Sequence, residues 1–218
     1  MPCGPRTPDP RPLIIGHRGF AAMHPDNSLA GVRAALGAGA DGVEVDVRPC
    51  ADGSWVCHHD RTRDGRAVRG WTASALRRGG VPTLEEVLGV VPVGRWIYVE
   101  VKPLARVELA RLDGALVSLL RQAAARIRLL SSSLAVLEAL GRELVFPRSW
   151  VIGEAPERVP PSLELSPHHL LVESLAGFNR PLHPWTVNRP ERVRVLAGLG
   201  VASITSNRPD LARRVLHG

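Results

Sequence analysis

The sequence predicts an α/β fold, a (β/α)₈ barrel with a β-hairpin insertion after the second strand. Three observations predict it. Short apolar runs begin near residues 13, 43, 97, 127, 149, 170, 183 and 201, eight in all, and most are separated by stretches with helical periodicity. The length of 218 residues gives one domain, near the small end for such a barrel. Histidines, carboxylates and the only lysine gather at the C-terminal ends of these runs, where barrels of this kind carry their chemistry.

Residues 1–11 are proline-rich and read as a loose arm before a single barrel domain at 12–218. Leu13 to Gly16 is a first strand that delivers His17-Arg18-Gly19. Pro25-Asp26-Asn27-Ser28 offers N-cap side chains to a helix with Leu29, Val32 and Leu36 on one face and Gly37 and Gly39 at its end. Val43 to Val47 and Trp55 to His59 are alternating runs joined through Asp52-Gly53, a pair that tolerates the positive φ of a tight turn. With that pair at the centre, Asp46 lies opposite His59, and Glu44 shares their face because side chains two apart on a strand point the same way.

Arg61 to Gly80 reads as a polar loop with a helical piece near Ala73 to Arg77. Thr83-x-x-Glu86 is a capping box before Leu84, Val87, Leu88 and Val91. Trp96 to Val101 is a strand ending in Glu100-Val101-Lys102, so acid and lysine share a face. A long helix is expected from Arg106 to Ala125, a strand at Ile127 to Ser131, a helix at Leu134 to Leu140, and strands at Ser149 to Gly153, Leu170 to Glu173 and His183 to Val187. Asn188 and Pro190 suit a helix start, Val201 to Thr205 is the last strand and Pro209 to Leu216 the last helix. Segments 154–169 and 174–182 carry little helical signal.

Composition narrows the function. The net charge is +7, but the arginines are scattered and the chain has one tyrosine and three phenylalanines, so nucleic acid is not the expected partner. No run reaches membrane-spanning length and the N-terminus has no apolar signal segment, which makes stable membrane insertion unexpected and the cytoplasm the default compartment. Cys3, Cys50 and Cys57 lack metal or disulfide spacing and read as reduced thiols. Lys102 stands alone among cations that are otherwise all arginine, which points to a need for a compact ammonium there.

Glu44, Asp46 and Glu100 supply three hard oxygen donors, a set suited to Ca²⁺ or Mg²⁺. His17 and His59 supply two imidazoles, a side chain whose unperturbed pKa lies near working pH, as general acid and base require. Arg18 and Lys102 beside a metal suit a phosphodiester anion, and Trp185 suits the alcohol part of a substrate or a choline-like cation.

These residues resemble a known series. His17-Arg18-Gly19, Pro25 to Ser28, Gly39-Ala40-Asp41, Glu44-Val45-Asp46-Val47, Asp52-Gly53, His59-Asp60, Pro82 to Leu88, Glu100-Val101-Lys102, Trp185 to Asn188 and Thr205 to Pro209 are similar, in order, to the signatures of the glycerophosphodiester phosphodiesterase family. The resemblance implies a (β/α)₈ barrel with an inserted hairpin, a divalent cation, and hydrolysis of small deacylated phospholipid diesters to sn-glycerol 3-phosphate and an alcohol. It implies that Glu44, Asp46 and Glu100 bind the metal, His17 and His59 act as acid and base, and Arg18 and Lys102 hold phosphate. Asp26 and Ser28 stand where the family usually has glutamate and threonine, and Arg61 to Gly65 is all that remains of a longer family stretch. Ser206-Asn207 replaces the family's usual aspartate or asparagine directly after Thr205. A phospholipase acting on lysophospholipids, intact lipids or other lipid phosphodiesters and a catalytically silent metal-binding or ligand-binding barrel are the rival expectations.

Overall fold

The computed structural model describes residues 11–105, 109, 112 and 114–217. The arm at 1–10, with Cys3, and the first part of the helix expected from Arg106 lie outside the described residues.

Strand β1 (Leu13–Gly16) leads to helix α1 (Leu29–Gly37), whose first turn is closed by the Ser28 side chain accepting from the Gly31 N–H. Then come β2 (Gly42–Pro49), β3 (Trp55–Cys57), a small pair β4 (Thr62–Arg63) and β5 (Arg66–Ala67), and helices α2 (Ala73–Arg78) and α3 (Leu84–Leu88). The Thr83/Glu86 capping box forms in both directions. Next are β6 (Trp96–Val101), α4 (Ala115–Gln122), β7 (Arg126–Ser131), α5 (Leu134–Glu143), β8 (Arg148–Ile152) and β9 (Glu164–Pro167). The chain ends with α6 (Pro190–Gly198), β10 (Ser203–Ser206) and α7 (Pro209–His217).

Seven strands form one parallel path in the order β10, β1, β2, β6, β7, β8, β9, with β3 antiparallel on β2. The ring closes through residues 182–187. His183 and Trp185 donate backbone N–H groups to Leu165 and Pro167 on one side, while Ala202 and Thr205 donate to Leu182 and Pro184 on the other. Pro184 has no N–H and cannot form a regular ladder, so this eighth strand position survives as isolated bridges. The fold is the (β/α)₈ barrel with an inserted hairpin.

Alternation sorts the strand side chains. Val43, Val45, Val47, Ile97, Val99 and Val101 face outward and pack under Val32, Leu84, Leu116 and Leu140 of the surrounding helices. Ile15, Tyr98 and Leu130 cluster on the opposite, inner face. Polar groups occupy the lumen beside them: Arg128 pairs with Glu164, and His183 contacts Glu164 at 3.0 Å and Ser203 at 2.8 Å.

Four expectations are corrected. The hairpin register places Val47 opposite Cys57 and Pro49 opposite Trp55, so Asp46 faces His58, not His59, and the His58 N–H donates to the Asp46 carbonyl at 2.9 Å. The turn is wider than two residues because Cys50 closes on Ser54, and the Asp52 carboxylate is drawn to the backbone N–H groups of Ser54 and Ala73. The segment Leu170 to Glu173 is not a strand; it belongs to 3₁₀ turns at His169–Leu171 and Glu173–Phe178, and the strand is β9 before it. Here the apolar run Leu170-Leu171-Val172 lacks the alternation of the barrel strands, and Leu170 is exposed. Asn188 does not cap α6. Its carbonyl oxygen instead accepts from the Asn207 N–H at 2.9 Å, and Pro190 alone marks the helix start.

Candidate active site

Parallel pairing of β2 with β6 brings the acids together. Asp46 is in register with Glu100 and Glu44 with Tyr98, so Glu44, Asp46 and Glu100 share the inner face at the C-terminal end of the barrel. Carboxylate oxygens from the three lie within 4.8 Å of one another. Glu44 and Glu100, together with His17, Arg18, His59, Lys102, Ser166, Trp185 and Thr205, line a cavity of about 200 Å³, and Asp46 lies buried beside them.

The turn after β1 is built for this contact. A side chain at Gly16 would meet the Gly19 carbonyl oxygen at 2.4 Å, and Gly19 has φ +82°, a conformation that an L side chain resists. Arg18 between them is itself held at φ +49°. That geometry aims the Arg18 N–H at Glu44 Oε2, 3.0 Å away, and brings its guanidinium to Asp26 at 2.7 Å and Asp46 at 3.2 Å.

Lys102 lies between Asp46 and Glu100, 2.5 and 2.6 Å from their oxygens, and is 7% exposed. The positive charge that three inward acids require is thus supplied partly by Lys102 and Arg18. Burial alone disfavours the Lys102 ammonium, but Glu100 and Asp46 outweigh it and hold the Lys102 pKa above its ordinary value. For Asp46, burial raises the pKa, yet Lys102, Arg18 and the Asn27 amide together bring it below the usual range. Glu44 goes the other way. Burial, then the charges of Asp46 and Glu100, push it well above the ordinary carboxyl value. Its Oε1 is buried without a hydrogen-bond partner among the described residues.

That orphaned oxygen tests the fit of a divalent cation. A protonated or unpaired Glu44 beside two more carboxylates is an unfavourable arrangement that a hard cation relieves, and the donors are all oxygen. The residues fit the group.

His17 lies 3.9 Å from Glu44 through Nε2, and its Nδ1 bonds Asn207 Oδ1 at 2.6 Å. Burial lowers its pKa despite that bond. His59 reaches the cavity even though it is outside the β3 ladder: Arg48 donates from Nε and Nη2 to the His59 carbonyl at 2.9 and 2.7 Å, and Asp60 accepts at 2.8 Å from the ring. Trp185 is fixed by its indole N–H, which donates to the Ser166 carbonyl at 2.8 Å.

All eight residues singled out in the sequence border this one site. Sequence reasoning missed Asn27, which donates Nδ2–H to Asp46 Oδ2 at 2.9 Å and accepts from the Asp46 N–H at 3.0 Å. It also missed Asn207 and the anchor Arg48. Asn27 carried one available signal, a polar residue favouring the left-handed region inside a motif, and it adopts φ +60°.

The family model for the "Glycerophosphoryl diester phosphodiesterase family" matches residues 17–138 and 105–211. A glycerophosphodiester phosphodiesterase of Bacillus altitudinis is 25% identical over 237 residues, covering 93% of this chain and 97% of that protein. A probable glycerophosphodiester phosphodiesterase 1 of Mycobacterium tuberculosis is 40% identical over 74 residues, a match spanning 34% of this chain but only 27% of that protein. Among solved structures, an Oleispira antarctica phosphodiesterase in complex with the product sn-glycerol-3-phosphate superposes with a TM-score of 0.84 at 19% identity, covering 95% of this chain and 98% of that one. A glycerophosphoryl diester phosphodiesterase of Silicibacter pomeroyi gives 0.82 at 23% identity, covering 95% and 94%. These likenesses carry the fold.

Proposed function

The chain belongs to the glycerophosphoryl diester phosphodiesterase family, and on that premise we propose that it hydrolyses small glycerophosphodiesters to sn-glycerol 3-phosphate and an alcohol. The observation that carries the reading is a cluster of three carboxylates beside a cavity that two imidazoles and Arg18 line at the C-terminal ends of the strands. Glu44, Asp46 and Glu100 would hold a divalent cation, Ca²⁺ or Mg²⁺, which when bound supplies neutralisation of the diester and polarises its phosphorus–oxygen bonds. Arg18, poised between Asp26 and Asp46, binds a phosphoryl oxygen through its planar fork. Lys102 holds Asp46 and Glu100 close by pairing with both, and adds positive potential at the phosphate.

The imidazoles divide the proton work. With Nδ1–H directed at Asn207, His17 presents the lone pair of Nε2 to the cavity, and its lowered pKa keeps it neutral. His17 therefore takes the proton of the nucleophile, which is water or the substrate's own neighbouring glycerol hydroxyl; in the second case a cyclic phosphate forms and water then opens it to glycerol 3-phosphate. As the bond from phosphorus to the leaving alcohol breaks, His59, its Nδ1–H held by Asp60, gives a proton from Nε2 to that oxygen. Trp185 packs against an organic arm of the substrate. Buried Cys50 and Cys57 are free thiols, in keeping with a cytoplasmic setting, and no helix among the described residues is long and apolar enough to cross a membrane.

Release of glycerol 3-phosphate from glycerophosphocholine and glycerophosphoethanolamine, in EDTA, Ca²⁺ and Mg²⁺ in parallel, tests this. Metal-dependent release abolished by His17→Ala is expected. No release from folded protein with either metal would overturn the reading and direct the search to lysophospholipids.

A further inference from the structure

A second and larger cavity, about 860 Å³, lies between the inserted segment and the barrel wall. Its lining includes Arg48 and Pro49 at the end of β2, Arg61 and Arg69 on either side of the β4/β5 pair, and Pro103 and Leu104 after β6. Three guanidinium groups border one cleft, and no carboxylate is among its described lining residues. Arg61 and Arg69 are exposed and make no side-chain hydrogen bond or ion pair among the described residues.

The cleft adjoins the catalytic cavity through two shared pieces of structure. Arg48 lines the cleft while its guanidinium grips the His59 carbonyl, and His59 lines the catalytic cavity. Lys102 lines the catalytic cavity and the next residue, Pro103, lines the cleft. A diester held at Arg18 with one arm leaving past His59 would enter this cleft.

We propose that the cleft is the subsite for the alcohol half of the substrate, and that Arg61 and Arg69 select diesters whose alcohol carries a second anionic group, a carboxylate or phosphate. The proposal deepens the phosphodiesterase reading and rests on it. Like charges gathered on one wall repel one another, and no carboxylate is among the described residues that line the cleft to offset them. A bound anion removes that repulsion, and guanidinium groups match carboxylate and phosphate oxygens in paired hydrogen bonds. Leu104, Pro103 and Val68 supply apolar wall for the carbon skeleton between the two charges. An alcohol bearing only a quaternary ammonium meets the wrong sign here.

Glycerophosphoserine and glycerophosphoethanolamine differ by one carboxylate and so form the matched probe. Both kcat/KM and calorimetric affinity are measured with the full chain and with the Arg61→Gln/Arg69→Gln double variant, at low and high salt. The wild type is expected to favour the serine diester roughly five- to tenfold at low salt, an advantage that shrinks at high salt. The double variant should lose that preference while keeping its ethanolamine activity. Equal affinity for the two diesters in the wild type, or an equal loss on both in the variant, overturns the subsite. The phosphodiesterase reading fails separately, through absence of turnover on both diesters, and the affinity ratio still decides the subsite in that case.

Discussion

Replacing Lys102 with methionine tests the electrostatic account of the site directly. The substitution keeps an unbranched side chain and removes an ammonium 2.5 Å from Asp46 and 2.6 Å from Glu100. At an effective dielectric near 20, each contact has a Coulomb attraction of about 6 kcal/mol before desolvation. Most of that offsets the cost of burying the ions, and removing one partner of a buried pair leaves a net loss of about 3–5 kcal/mol. The sign with pH follows from Asp46. Its folded pKa lies below the unfolded value, so its contribution is present at neutral pH and disappears as pH falls through the folded pKa. Without Lys102 the Asp46 pKa rises, and the deficit relative to wild type is greatest near pH 7 and smaller at acid pH. Urea unfolding followed by tryptophan fluorescence, in EDTA, at pH 7 and at pH 4.5, reads this out. Added Ca²⁺ or Mg²⁺ should recover part of the loss. A deficit under about 1 kcal/mol at pH 7, or one that grows on acidification, would refute the reasoning.

Three further outcomes are expected. Asn207→Leu removes the acceptor at His17 Nδ1, the contact that raises the His17 pKa against burial, so the acid limb of the pH profile of kcat/KM moves to lower pH. Activity should drop about tenfold, the worth of one strong hydrogen bond, and an unmoved acid limb would count against the proton assignment. Asn27→Ala strips two hydrogen bonds from buried Asp46 and places alanine at φ +60°, for a loss of about 2–4 kcal/mol in denaturant unfolding; a smaller change than 1 kcal/mol would mean water replaces the amide. Arg128→Met leaves Glu164 in the barrel lumen without its cation, and the melting temperature should fall by several degrees; an unchanged melting temperature would mean the pair adds nothing to stability.

Most strands were legible because their cause is local. Val43-Glu44-Val45-Asp46-Val47 alternates strictly, and a period of two fixes which side chains face the helices whatever the partner strand is. The capping box at Thr83 and Glu86 is equally local and appeared as expected. Residues 182–187 behaved differently: proline interrupts the donor series, so their strand role depends on carbonyls and N–H groups from β9 and β10. The run at Leu170 to Val172 misled because a short apolar stretch serves a 3₁₀ turn packed on the barrel as readily as a strand.

What the amino-acid sequence determined by itself was the set of chemical groups and the faces they occupy: carboxylates two apart on β2, acid and lysine two apart at the end of β6, and an imidazole at the end of β1. Backbone periodicity sets those relations within a few residues. Only the tertiary structure decided the contacts between segments. The hairpin register differs by one residue because Cys50 closes on Ser54, and the Asp52 carboxylate in that turn accepts from Ala73, 21 residues away. The partners of Asp46 and His17, Asn27 and Asn207, come from loops after β1 and β10. Ring closure brings these loops together, while the path of the inserted segment after β2 leaves Arg48, Arg61 and Arg69 around one cleft. The physical reason is range: alternation and capping act over one or two turns of chain, whereas a hydrogen bond to a buried carboxylate is settled only when every strand has found its neighbour.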